Sequence, residues 1–166
     1  MTKPTLPTIP FKSPKSFETW LEKQHHKSTG IWMKIYKKDS GIKTITYAEA
    51  LDVALCFGWI DGQKQAFDEE CWLQKFCPRT TKSIWSKVNI GHVERLIKND
   101  KMRPAGLKAI ESAKADGRWE KAYDSPSKMT IPEDFLKVLS KNKKAETFFK
   151  SLNKTNLYSI GFQLQT

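Results

Sequence analysis

The sequence predicts an α+β fold, a small antiparallel sheet packed with helices and followed by a helical C-terminal region. Three observations carry that expectation. "GIWMKIYKK" alternates, placing Ile31, Met33 and Ile35 on one face of a strand and Trp32 and Tyr36 on the other. Two short runs of strand-forming residues, about Trp59–Phe67 and Cys71–Cys77, flank an acidic connector at Asp68–Glu70 and read as a hairpin. From Ser86 onward, helical spacing takes over. Strands that give way to helices, rather than alternating with them, point to α+β.

Each element has a local cause. "MTKPTLPTIPFKSP" is rich in proline and reads as an irregular arm over residues 1–15. "SFETWLEKQHH" gathers Phe17, Trp20 and Leu21 on one helical face, with Ser16 as N-cap. In "TYAEALDVALCFG", Thr46 and Glu49 have capping-box spacing. Tyr47, Ala50, Leu51, Ala54 and Leu55 form its apolar stripe, and Gly58 stops it. "SKVNIGHVERLIKN" takes Ser86 as N-cap and turns Val93, Leu96 and Ile97 inward. "RPAGLKAIESAKADG" has Pro104 in its first turn and Gly117 past its end. After the loop "GRWEKAYDSPSKMT", the helix of "IPEDFLKVLSKN" opens on Pro132 with two acids that suit the helix dipole. "KKAETFFKSLN" and "TNLYSIGFQLQT" continue as helices. A seam near Ser125–Thr130 divides residues 16–124, the α+β domain, from residues 125–166, a C-terminal helical subdomain.

Composition narrows the function classes. The chain has 166 residues, 28% of them charged and 39% hydrophobic, enough for a real core. No run has the length of a membrane span. An N-terminus without an apolar signal core leads us to expect a cytoplasmic protein. The net charge of +11 attracts polyanions. Lysine supplies most of it, with arginine only at 79, 95, 103 and 118. That balance favours a solvated surface with weak nonspecific nucleic-acid affinity over dedicated base readout. Cys56, Cys71 and Cys77 make no C-x-x-C pair, and with His25, His26 and His92 they match no metal-site spacing. We expect neither metal nor cofactor.

The stretch with the most unusual chemistry is "FGWIDG", which sets Asp61 among apolar residues. With a three-residue connector, Phe67 faces Cys71, and a regular ladder carries Trp59 to Arg79 and Asp61 to Cys77. Asp61 and Arg79 then share a face as diagonal neighbours, and a one-residue shift would part them. Such a pair serves either as a pin for the hairpin or as the floor of a pocket with an anion clamp. Trp59, Trp85 and Asn89 are the further candidates for that pocket. Each has a structural alternative: Trp59 as core, Trp85 as a hydrophobic staple to Ile90, and Asn89 as a helix cap. G-x-S-x-G, P-loop, G-x-G-x-x-G and H-E-x-x-H are all missing. Asp61 with His92 would be an acid–base pair without geometric support.

The run "ALCFGWIDG … LQKFCPR … SIWSKVN … VERLI … MRPAG … AIESAKADGRW … AY" resembles the YdeI/OmpD-associated, bacteriocin-protection family over about Tyr47–Tyr123, and more loosely beyond. The resemblance implies a YjbR/CyaY-like α+β grouping and a basic tail that this chain, ending at Thr166, lacks or has lost. It brings no reaction, cofactor or catalytic residue. We therefore expect a binding or stress-protection protein, not an enzyme, with a polar-aromatic pocket for a small anionic ligand. A nucleic-acid-associated protein and an enzyme using an Asp61–Arg79 site are the alternatives. Direct capture of cationic peptides by so basic a chain is disfavoured, so protection would act indirectly.

Overall fold

The computed structural model describes residues 5–166, so the first four residues of the expected arm lie outside the described residues. The rest of the arm is partly ordered into secondary structure. Thr8–Pro10 forms a strand, β1, that runs parallel to Ile31–Tyr36, β2. Trp59–Ala66 (β3) and Cys71–Pro78 (β4) form the expected hairpin, and β4 pairs antiparallel with β2. The sheet order is β1-β2-β4-β3, so the sheet is mixed rather than wholly antiparallel. β2 alternates as its sequence demands: Ile31, Met33 and Ile35 are buried, while Trp32 and Tyr36 are half-buried.

The helix signals are largely realised. Helix α1 spans Pro14–Gln24, and its N-cap is Ser13 rather than Ser16. Pro14 suits a first-turn position, so the helix starts a turn early and Ser16 becomes the reciprocal partner in a capping box. Helix α2 (Tyr47–Cys56) carries the expected Thr46–Glu49 box, and Gly58 follows it at φ 72°. Helix α3 spans Lys87–Lys98, and the Asn89 N–H donates to Ser86 Oγ at 3.1 Å. Val93 and Leu96 are buried as expected, but Ile97 is 43% exposed because the stripe that reaches the core is narrower than its apolar residues. Helix α4 is Pro104–Ala115, with Gly117 at φ 79° beyond it. Helices α5 (Glu133–Leu139), α6 (Lys143–Lys150) and α7 (Lys154–Gln165) complete an α+β fold.

Two compact units emerge. The first comprises residues up to Ser83 together with His92–Ala113; the second comprises Ile84–Gly91 and Lys114–Thr166. Ser125–Thr130 thus falls inside the second unit. In the first, α1 and α2 cover the face of the sheet that presents Ile31, Met33 and Phe76, with Phe17 against Phe76 at 5.8 Å. The start of α4 presses on the end of α2. The Arg103 N–H donates to Cys56 O at 3.1 Å, and a β-carbon on Gly106 would collide with that same carbonyl. In the second unit, Trp85 packs on Trp119 at 5.0 Å, and the Tyr123 N–H donates to Trp85 O at 3.0 Å. Lys87 pairs with Asp124 at 2.9 Å, holding that carboxyl below its usual range.

The hairpin ladder changes register once. Near the turn, Lys64 faces Gln74 and Ala66 faces Trp72; past the irregularity, Asp61 faces Phe76 and Trp59 faces Pro78. Gly62 and Gln63 together oppose Lys75, which makes a β-bulge. At the bulge the buried Gln74 amide donates to two carbonyls of β3, at 3.0 Å to Gly62 O and 3.3 Å to Gln63 O. A buried amide so placed offsets its own desolvation.

The α2–α4 contact yields a paired expectation. Gly106→Ala should cost about 2–3 kcal/mol, since the colliding atom is backbone and cannot swing away. Gly91→Ala, in α3 with open space around it, should be neutral or gain about 1 kcal/mol. Urea unfolding of both variants checks this; similar losses at the two sites would contradict it.

Candidate functional site

The bulge decides where Asp61 points. Asp61 lies opposite Phe76, on the helix-covered face, and its Oδ2 accepts a hydrogen bond from the Tyr47 hydroxyl at 2.7 Å. Arg79 lies past the end of β4, where its N–H donates to Gly58 O at 2.9 Å. Arg79 is three positions past Phe76, so alternation continued beyond the strand would put Asp61 and Arg79 on opposite faces. The regular ladder that would make Asp61 and Arg79 diagonal neighbours is interrupted by the bulge. The reading was right for the turn and fails only beyond the bulge.

The other expected pocket residues are distributed over both units. Trp59 is buried, crosses Trp20 edge-on at 5.8 Å, and donates its indole N–H to His25 O at 3.2 Å. Trp85 and Asn89 belong to the second unit, the former against Trp119 and the latter in the capped first turn of α3. Trp59, Asp61 and Arg79 belong to the first unit.

Two concave regions of the first unit were not anticipated. One, of about 540 Å³, lies against α2, with Val53, Cys56, Phe57 and Leu96 among its lining and ion pairs around it. Arg103 bonds Glu18 and approaches Glu22 at 3.8 Å. Asp52 accepts from Arg95 at 2.7 Å, and His92 Nδ1 lies 3.2 Å from the same carboxylate oxygen. Hydrogen bonds from Lys15 and Arg103 hold the Glu18 carboxyl below its usual range. Burial pushes the Cys56 thiol up to about 11, so it stays protonated near neutrality and is a poor nucleophile. The carboxylates Glu18 and Asp52 are thus committed to cations of the fold. Glu49 closes the α2 cap.

The second region, of about 470 Å³, lies between the end of β2 and the start of α2. Its lining includes Tyr36, Lys37, Lys38, Lys43, Tyr47 and Trp72, and no carboxylate. Among the described residues, Lys38 and Lys43 form no ion pair, while Lys37 Nζ donates to Glu69 O at 2.6 Å. Lys64 Nζ sits 4.7 Å from the centre of the Trp72 ring. Tyr47, 37% exposed, is both a wall of this pocket and the partner of Asp61. The available sequence signal was the basic run "KKDSGIK" between a strand and a capped helix. Tyr47 was concealed in an otherwise buried stripe.

Among the described residues, no group of three or more His, Cys, Asp or Glu is placed to hold a metal ion, and no helix is long and apolar enough to cross a membrane. Fold and geometry together define an α+β protein with an ion-paired cleft on α2 and a lysine-and-ring pocket at its start. The chain belongs to the family described as Domain of unknown function (DUF8412), whose model matches residues 9–109. Residues 128–166 match a second family model, Bacteriocin-protection, YdeI or OmpD-Associated. No curated protein and no solved structure matches the chain. The YdeI/OmpD likeness therefore lies in the C-terminal helices, not in the run Tyr47–Tyr123 where the sequence suggested it. The YjbR/CyaY-like grouping finds no support in these matches.

The Glu18 pairing gives a pH expectation. Its folded value is lowered, so its contribution to stability is complete above the ordinary glutamate value of roughly 4.3 and is lost as pH falls through the lower folded value. Between about pH 5 and pH 3, the wild type should lose more stability than Glu18→Gln. Thermal melts across that range check it, and parallel acid limbs would contradict it.

Proposed function

We propose that this is a cytoplasmic, non-enzymatic binding protein with a protective role, and that it takes a small anion carrying a flat ring into the pocket formed by Tyr36, Lys37, Lys38, Lys43, Tyr47 and Trp72. One observation carries the reading: this pocket is lined by three lysines and no acid. In the cleft on α2, Glu18 and Asp52 are paired with arginines of the fold, whereas Lys38 and Lys43 form no ion pair among the described residues and are left for an anion. Aromatic walls offer a flat ring contact area at low entropic cost, and lysine ammonium groups neutralise its charge. Asp61 enters indirectly, because its bond to Tyr47 positions one wall. The overall charge of +11 repels cationic peptides, so protection works through the small ligand rather than by direct capture.

Phenyl phosphate is the natural probe, with inorganic phosphate and phenol as controls for charge alone and ring alone. In calorimetry at low salt, phenyl phosphate should bind more tightly than either. The double change Lys38→Ala, Lys43→Ala should weaken it roughly fivefold to tenfold, about 1–1.4 kcal/mol. Equal affinity for all three probes, or no effect of the lysine changes, would overturn the assignment.

A further inference from the structure

The C-terminal helices leave an unusual surface. In α5, α6 and α7, the only fully buried residue is Gly161, against which Met129 packs. Val138 in α5 is 66% exposed and Phe148 in α6 is 67% exposed, the highest values among the exposed large apolar side chains. Both flank the ring contact that joins these helices, Phe135 to Phe149 at 5.8 Å. Val138 is one helical turn past Phe135, and Phe148 precedes Phe149 in the chain. Lysines surround them. From Leu136 to Lys154 there are six lysines and one glutamate, and no arginine follows Arg118. Glu146 is shared by Lys143 at 3.4 Å and Lys150 at 2.8 Å. Lys137, Lys141, Lys144 and Lys154 form no ion pair among the described residues.

We propose that the α5–α6 hairpin is an interfacial docking surface for anionic lipid headgroups, with Phe148 and Val138 entering the headgroup–acyl boundary. Charge complementarity selects the occupant. A cluster of flexible lysines without arginine suits the diffuse negative charge of a lipid surface better than the directional readout of carboxylate or nucleic-acid phosphate. Protruding apolar side chains among lysines are the composition of helices that lie in the interface plane. Neither feature is explained by the core of this unit, since both side chains point away from it. The surface lies in the second unit and is independent of the lysine-and-ring pocket, so either assignment can fail alone.

The test is co-sedimentation of the full chain with vesicles of phosphatidylglycerol and phosphatidylcholine, or of phosphatidylcholine alone, at low and high salt. Binding only to the anionic vesicles, falling with salt, is expected. The double variant Val138→Ser, Phe148→Ser should bind about tenfold more weakly, and its thermal melt should match the wild type because both side chains are exposed. Phe148→Trp should report entry by a blue shift of its emission on adding anionic vesicles, measured against the wild type to subtract the other tryptophans. No sedimentation at low salt overturns the proposal. Binding that the serine variant retains in full, with no blue shift in Phe148→Trp, also overturns it, because the contact is then electrostatic only.

Discussion

A single extra residue in β3 governs the chemistry of the first unit. The bulge at Gly62–Gln63 turns Asp61 from the face of Cys77 to the face of Phe76, where α1 and α2 pack. There its carboxylate meets the Tyr47 hydroxyl at the first turn of α2. The helix is thus held at both ends: by this bond at its start, and at its end by α4 seated on the Cys56 carbonyl. The bulge is itself sustained by the Gln74 amide, which donates to the carbonyls of both bulge residues. The buried amide thereby ties the bulge to β4.

Charge is distributed unevenly around this frame. The cleft on α2 sets Glu18 and Asp52 against Arg103, Arg95 and His92, so its ions join helices to one another. Partly exposed pairs of this kind add little stability individually and act chiefly as fasteners. At the start of α2, the lysines have no such employment. The same contrast recurs in the second unit, where Lys87 is paired with Asp124 while Lys137 of α5 and Lys144 of α6 form no ion pair among the described residues. Surplus cations beside rings, or beside protruding apolar side chains, are where this chain can meet partners outside itself.

Much of the architecture was legible because its determinants are local. Alternation fixed the faces of β2, the Thr46–Glu49 spacing fixed the start of α2, and Pro104 and Gly117 bracketed α4. Strand β1 escaped notice because three residues of a proline-rich arm carry no periodicity, and only β2 makes them a strand. Asp61 was legible as an anomaly, but its partner was not. The bulge depends on Gln74, a residue that looks like an ordinary polar member of a strand. The ion pairs of the cleft were beyond reach for a related reason: Glu18 and Arg103 are far apart in sequence and meet only once α4 has docked.

The most direct test is a pair of double-mutant cycles in urea. One cycle combines Tyr47→Phe with Asp61→Asn; the other combines Arg79→Gln with Asp61→Asn. A carboxylate tied to Tyr47 predicts a coupling of about 0.5–1.5 kcal/mol in the first cycle and additivity within about 0.5 kcal/mol in the second. Additivity for Tyr47 together with strong coupling for Arg79 would mean that the ladder runs without the bulge, and the account built on it would be wrong.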